Sequence, residues 1–113
     1  MLNFTLTSEQ LSLRKNVREF ALKEILPLAW FYDEANELPS HIINKASDLG
    51  LMSGDIPKEY GGLGRSAIDG TIVTEEVAAA CAGLATSIYI NSLGYKPLVL
   101  CDNDALKQKY LPK

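Results

Sequence analysis

The sequence predicts an all-α fold, a helical bundle of five or six helices. Two capping signatures stand before apolar residues that recur at helical spacing, and no segment alternates apolar and polar residues as a half-buried strand does. The 113 residues suit one ordinary domain. We therefore expect a single helical domain over residues 1–113, packed as an orthogonal or up-and-down bundle.

The first helix is predicted to begin after Thr7. The segment Thr7-Ser8-Glu9-Gln10 reads as a capping box, because the Thr7 hydroxyl can accept from the Gln10 amide while the Gln10 side chain returns to the Thr7 amide. The apolar residues that follow share one helical face: Leu13, Val17, Phe20, Ala21 and Ile25. Pro27 has no amide hydrogen, so the helix is expected to end or kink there.

The segment 28–38 gives a mixed pattern, with three aromatic residues followed by acidic and polar ones, and predicts a short helical turn and a loop. Pro39 suits the first position of the next helix. The apolar face of that helix consists of Ile42, Ile43, Ala46 and Leu49. Gly50 is placed to end it in the left-handed conformation.

A glycine-rich loop is predicted over residues 53–65, because its glycines and Pro57 disfavour a helix interior. The run from Gly61 to Gly64 could suggest a phosphate-binding loop. It has neither the dinucleotide spacing nor the terminal Gly-Lys-Ser/Thr of a P-loop, and no strand precedes it. A turn between helices is the favoured interpretation.

The second half of the chain predicts three helices. Ser66 with Asp69 forms the second cap, and the helix behind it is expected to close at Gly83. The next helix, Leu84 to Leu100, is apolar on nearly all sides and is therefore expected to be surrounded by protein, with Pro97 bending its last turn. Asp102 or Asn103 is predicted to cap a final helix over residues 104–111.

Composition and charge argue against several classes of protein. The net charge of -3 and the scattered Lys and Arg residues give no footprint for nucleic acid. Residues 77–95 carry no charge, but their polar content favours a buried helix pair over membrane insertion.

Cys81 and Cys101 read as buried free thiols, and residues 1–6 lack signal-peptide features. We expect a cytoplasmic protein.

No catalytic residue and no metal site are expected in this chain. Glu75 and Glu76 are helix neighbours that point about 100° apart, so they cannot converge on one atom; one should be solvated and the other partly shielded. His41 has no catalytic or metal-binding neighbour and should lie on the surface.

One stripe on the predicted Leu84 to Leu100 helix could line a binding pocket. Its members recur at helical spacing: Ala85, Thr86, Tyr89, Ile90 and Leu93. Plain core packing is the simpler interpretation of that spacing alone.

Several motifs, in order along the chain, together resemble one family. They are Ser8-Glu9-Gln10, Leu49-Gly50-Leu51, Ile56-Pro57-x-Glu59-Tyr60-Gly61-Gly62-x-Gly64, Glu75-Glu76, Asn91-Ser92-Leu93-Gly94 and Lys107-Gln108-Lys109-Tyr110-Leu111-Pro112. The chain is similar, over nearly its whole length, to the amino-terminal helical domain of the acyl-CoA dehydrogenases. The resemblance implies a longer flavoenzyme, in which a β-domain and a second helical domain follow.

In that family the flavin, FAD, lies between the later domains and a neighbouring subunit. A glutamate of the last domain removes the α-proton of an acyl-CoA thioester while hydride passes to the flavin. The resemblance therefore implies an acyl-CoA substrate, reoxidation by electron-transfer flavoprotein and a homo-oligomer, a tetramer in the family. The isolated chain is expected to be inactive and to bind no FAD.

What the resemblance assigns to this domain is one wall of the acyl-chain pocket. Ala85, Thr86, Tyr89, Ile90 and Leu93 are the candidate wall residues. Inward-pointing Tyr89 and Ile90 would weakly favour short or branched acyl chains. The alternative is a short natural helical module, derived from that domain, that binds a partner or assembles.

Overall fold

In the computed structural model, which describes residues 4–112, the chain folds into helices joined by short loops. The elements are α1 (Ser8–Phe20), a π-helical turn (Ala21–Ile25), α2 (Leu26–Ala35), α3 (Ser40–Asp48), a 3-10 turn (Lys58–Tyr60), α4 (Ala67–Ala80), α5 (Ala82–Tyr89), α6 (Asn91–Leu100) and α7 (Asp104–Tyr110). Helical conformation continues through the π turn and through Ile90. Apart from the 3-10 turn, these described elements thus form five continuous helical stretches, which confirms the predicted all-α bundle.

Helices α1 and α4 lie side by side and run in the same direction. Both predicted capping boxes are present, at Thr7 with Gln10 and at Ser66 with Asp69. The two caps also contact each other, because Gln10 Nε2 donates to Asp69 Oδ1 at 3.1 Å. Two turns further along both helices, Arg18 of α1 binds Glu76 of α4. The paired starts fix the register of the two central helices.

The main core lies between α1, the π turn, α3, α4 and α5. Its most deeply buried large side chains are Ile25, Ile42, Ile88, Val73 and Val77. The predicted apolar face of α1 points into it, and so do Ile42, Ile43 and Ala46 of α3. The prediction of Leu49 on the same face is wrong, since it lies 48% exposed at the end of that helix. A smaller apolar cluster joins the loop residues Ile56 and Tyr60 to Leu111, against one side of α6. This cluster holds the carboxyl-terminal part of the chain on the bundle.

The loop predicted after Pro27 is wrong, since helix continues to Ala35. A π turn precedes the proline, and the Leu26 amide donates to the Ala21 carbonyl across it. Pro27 then stands in the first turn of α2, directly after the π turn, and the helix continues past it. The helix ends at Asn36, whose φ is 53°.

The predicted end, at Gly83, of the helix that begins after Ser66 is also wrong. Helix α4 ends at Ala80 because Cys81 is extended, with φ -162° and ψ 111°, and Gly83 lies inside α5. The next predicted helix divides at Ile90 into α5 and α6. Contrary to the expectation that it is surrounded by protein, α6 buries none of its described residues. Residue composition alone did not distinguish a buried helix from an uncovered one.

Two other helix ends agree with the sequence. After α3, Gly50 has a φ of +66°, and the Leu51 and Gly50 amides donate to the carbonyls of Ala46 and Ser47 at 2.9 and 2.8 Å. This is a Schellman motif, which satisfies two carbonyls of the last turn. Pro39 is the N-cap of α3, one position before the predicted place. Asn103 caps α7 as predicted, accepting from the Leu106 amide at 3.1 Å.

Candidate functional site

A cleft of about 760 Å³ opens between α4, the α5–α6 stretch and the loop 53–65. Helix α4 lines it with small and polar residues such as Gly70, Thr71 and Thr74, and α6 lines it with Ser92, Tyr95, Lys96 and Val99. A volume of this size suits a small organic group. The loop supplies the remaining wall, including Asp55 and Arg65.

The glycine run of the loop packs against its own backbone. A Cβ on Gly62 would lie 2.0 Å from the Ile56 carbonyl oxygen. That same oxygen accepts from the Gly64 amide at 2.9 Å. The run therefore forms a tight turn, as predicted, which holds Ile56 and Tyr60 in the small apolar cluster.

Asp55 fastens α6 to the loop. Its carboxylate accepts from the Tyr95 hydroxyl and from Lys96 Nζ, and the Met52 carbonyl lies 3.3 Å from the same hydroxyl. Burial raises the pKa of the Asp55 carboxyl, but the hydrogen bonds from Lys96 and Tyr95 outweigh burial and hold the pKa below its usual range. The positive charge of Lys96 is thereby paired with a carboxylate at the wall of the cleft.

Arg65 occupies a different position, half-buried beside the cleft. Its Nη1 donates to the Gly50 carbonyl at 2.9 Å, and no carboxylate of residues 4–112 forms a salt bridge with it. A Cβ on Gly54 would lie 3.0 Å from both Cδ and Nη1 of Arg65. The glycine therefore leaves the space through which this side chain passes.

Tyr89, the last residue of α5, carries a buried polar atom that lacks a partner among residues 4–112. Its hydroxyl is buried and has no hydrogen-bond partner in the part of the chain that the structure describes. Burial raises the pKa of the Tyr89 phenol far above its usual value, and the nearby charge of Arg65 offsets only part of that effect. The hydroxyl remains a neutral donor at physiological pH.

The five predicted wall residues fall in three places. Ala85 is 4% exposed and belongs to the main core. Tyr89 lines the cleft. Thr86, Ile90 and Leu93 lie on an outer face, where Ile90 is 55% and Leu93 74% exposed. The described structure thus brings only Tyr89 of the five to the cleft.

Other residues of the cleft were missed by sequence reasoning. Ser92, Tyr95, Lys96 and Val99 also recur at helical spacing, on another face of α6. Their pattern could have identified a second lining surface. Arg65 gave no sequence signal, because only the folded loop brings it beside Tyr89.

The adjacent glutamates divide as predicted. Glu75 is exposed, whereas Glu76 is 6% exposed and accepts from Arg18 Nε and Nη2 at 2.6 and 2.7 Å. This pair ties α1 to α4 and leaves no acid and base converging on a substrate. His41 is exposed, as expected.

The described residues contain no group of three or more His, Cys, Asp or Glu side chains that could hold a metal ion. Both cysteines are free, and each is partly rather than fully buried. Among the helices of residues 4–112, none combines the length and the apolar character needed to cross a membrane.

Comparisons with known proteins give one consistent result. The family model described as "Acyl-CoA dehydrogenase, N-terminal domain" matches residues 7–113. The chain is 39% identical to the cyclohex-1-ene-1-carbonyl-CoA dehydrogenase of Syntrophus aciditrophicus, covering 96% of this chain and 26% of that protein. It is 40% identical to the probable acyl-CoA dehydrogenase YngJ of Bacillus subtilis, covering 97% of this chain and 29% of that protein.

A solved structure of glutaryl-coenzyme A dehydrogenase with glutaryl-CoA superposes with a TM-score of 0.88 at 34% identity, covering 99% of this chain and 29% of that one. The chain therefore spans 26% and 29% of the length of the two curated relatives.

Proposed function

The chain belongs to the acyl-CoA dehydrogenase family as its N-terminal domain, and we propose that it works within a longer FAD-dependent enzyme that forms the α,β double bond of an acyl-CoA thioester. The observation that carries this proposal is the family match over residues 7–113. The relatives are dehydrogenases of which the chain covers 26% and 29%. The catalytic base and most of the flavin site would then belong to other parts of the parent.

The role proposed for this domain is to supply one wall of the acyl pocket. Tyr89 would contribute from the cleft. Thr86, Ile90 and Leu93 would contribute from the outer face of α5 and α6, where apolar side chains remain uncovered. Ala85 would support this wall from the core behind it.

We propose that this chain does not hold a flavin by itself. At the start of α4, the Ser66 and Asp69 amides already donate to the side chains of the capping box. In the glycine run, the Gly62 and Gly64 amides donate to carbonyls of the same turn. These amides are therefore unavailable for a pyrophosphate. In the parent, FAD would accept the hydride in a site built mainly by other domains.

The proposal extends to the setting of the parent enzyme. We propose an acyl-CoA substrate, electron-transfer flavoprotein as the oxidant of the reduced flavin, a homotetramer and a role in fatty acid metabolism. A reducing cytoplasmic location suits the two free cysteines. The proposals on substrate, oxidant, oligomer and metabolic role rest on family membership.

The natural product of the gene tests the proposal directly. An antibody against this chain should detect and purify, from the source cells, a protein several times heavier than 12.4 kDa that carries flavin absorbance and oxidises acyl-CoA. A heavier protein without flavin, or one inactive on acyl-CoA thioesters of several lengths, would contradict it.

A second candidate function is a short binding or assembly module. The uncovered apolar side chains of α6 favour it, because Leu93 is 74% and Leu100 76% exposed. A natural product that migrates at 12.4 kDa would support this candidate over the enzyme.

Changing Tyr89 in the parent tests the wall assignment. Tyr89→Ala should lengthen the pocket and shift the kcat/KM ratio of octanoyl-CoA to butyryl-CoA by about 5- to 100-fold toward the longer chain. Thr74→Ala, which alters another side chain of the cleft's α4 wall, is the control for general disturbance of the cleft. An unchanged ratio in Tyr89→Ala would remove Tyr89 from the wall.

A further inference from the structure

The cleft between α4 and α6 holds a cation that forms no close ion pair with the described residues, although its charge acts at longer range on the Asp69 carboxylate. Lys96 pairs with Asp55, whereas Arg65 forms no salt bridge within residues 4–112. Only Nη1 of its guanidinium donates to a protein acceptor in that range, the Gly50 carbonyl. Nε and Nη2 therefore remain available to a bound group. A half-buried guanidinium with no carboxylate within salt-bridge distance is an arrangement that an anionic ligand would stabilise.

The Tyr89 hydroxyl is the second, independent observation. Tyr89 lines the same cleft, and its hydroxyl is buried behind that lining with no partner in the described chain. Most buried polar atoms in proteins have a hydrogen-bond partner, so an unpaired one calls for a specific reason. A ligand atom that accepts a hydrogen bond would provide that partner.

The loop holds the Arg65 side chain in place before any ligand arrives. The Arg65 amide donates to the Gly54 carbonyl at 2.8 Å, and the absence of a side chain on Gly54 leaves room for the Arg65 stem. Arg65 is thus hydrogen-bonded to the rest of the protein through its backbone amide and through the Nη1 atom of its guanidinium. Preorganisation of this kind lowers the entropic cost of binding.

We propose that this cleft binds an acyl group whose far end carries a carboxylate, with Arg65 as the ion-pairing residue and the Tyr89 hydroxyl as a second donor. The acyl-CoA part of this statement rests on the proposed function, whereas the carboxylate site rests on the cleft itself. A planar guanidinium matches a carboxylate with two parallel hydrogen bonds. A volume of about 760 Å³ accommodates a short acyl chain.

The 113-residue chain provides the test. Adipoyl-CoA and hexanoyl-CoA have acyl chains of equal length and differ in the terminal carboxylate. Each is titrated into the chain while the Arg65 Nε–Hε resonance is followed by NMR. Adipoyl-CoA should bind about tenfold more tightly and shift that resonance, as expected for one charge-assisted hydrogen-bonded pair.

Four variants assign the effect. Arg65→Gln, which removes the charge and keeps a polar side chain, should abolish the preference for adipoyl-CoA, and Tyr89→Phe should weaken the preference by about threefold. Arg14→Gln removes the same charge outside the cleft and should leave the preference intact. Arg65→Lys keeps the charge without the planar fork, and it should retain part of the preference. The backbone NMR spectrum of each variant checks that it is folded.

Equal affinities for the two thioesters, binding of neither, or a preference that survives Arg65→Gln would overturn the inference. The proposed function fails by a different result, namely a natural product without flavin or without acyl-CoA oxidation. A parent that oxidises only unsubstituted acyl-CoA thioesters would keep the proposed function and refute the carboxylate site.

Discussion

Glu76 illustrates how one buried carboxylate can join two helices without forming an acid and base pair. Its side chain is 5% exposed, whereas that of Arg18, its partner, is 56% exposed. Two short hydrogen bonds join them, so the carboxylate is both desolvated and fully paired. Glu75, its neighbour, is exposed and has no such bond among the described contacts. Removing the Glu76 charge leaves a buried group without its strongest partner.

Glu76→Gln should lower the free energy of unfolding by about 1 to 3 kcal/mol, because an amide accepts more weakly than a carboxylate in the same buried place. Urea denaturation of the isolated chain measures this change. Glu75→Gln is the matched control and should stay within about 0.5 kcal/mol of the original. Equal effects of the two substitutions would show that burial of Glu76 does not matter.

Asp69 makes part of the stability depend on pH. Hydrogen bonds from the Ser66 amide, then from the Ser66 hydroxyl, lower the pKa of its carboxyl in the folded chain. The stabilisation is therefore fully present above the unfolded pKa of about 3.9 and is lost as pH falls through the lower folded pKa. Asp69→Asn should reduce the loss of stability between neutral pH and about pH 3. Urea midpoints at the two pH values measure it, and an unchanged difference would count against this origin.

At the scale of elements, the ends of helices were more predictable than their continuity. The caps at Thr7, Ser66 and Asn103 follow from side chains that bond to nearby amides, so local sequence is sufficient. The helix through Pro27 depends on a π turn, and the break at Cys81 depends on a single extended residue. Neither has a local side-chain signature. The cleft could not be predicted from local sequence either, since Arg65 and Tyr89 come together only through tertiary packing.

Substitution by alanine at two glycines should change the stability of the chain in opposite directions. Gly50 has a φ of +66°, and its added Cβ would lie 2.5 Å from Leu63 Cδ1, so Gly50→Ala should cost about 1 to 2 kcal/mol of stability. Gly70 lies within α4 with no atom within 4 Å of an added Cβ, so Gly70→Ala should gain about 0.5 to 1 kcal/mol. Thermal unfolding of both variants makes the comparison, and changes of the same sign would contradict it.

At the scale of the whole molecule, the domain is a slab that measures 43 × 39 × 20 Å. Its core occupies the middle, while α2, α6 and α7 bury none of their described residues. Large apolar side chains on these helices are therefore exposed, among them Trp30, Leu93 and Leu100. Such a surface is expected of a domain that forms part of a larger protein.

The isolated chain should accordingly self-associate through α6. Leu93→Ser combined with Leu100→Ser should reduce association, measured by sedimentation velocity, with little loss of stability, because both side chains are already exposed. Ile88→Ser, at a fully buried position, should instead unfold much of the population. Association unchanged in the double variant would place the contact elsewhere.

The position of Trp30 has a spectroscopic consequence. It is the only tryptophan of the chain and lies 75% exposed on α2, away from the main core. Its fluorescence should therefore change little when the core of the isolated chain melts, and an emission trace would understate unfolding that circular dichroism records. The same indole should shift to the blue and resist quenching by iodide once another protein surface covers α2. This chain thus carries an intrinsic optical reporter of docking rather than of folding.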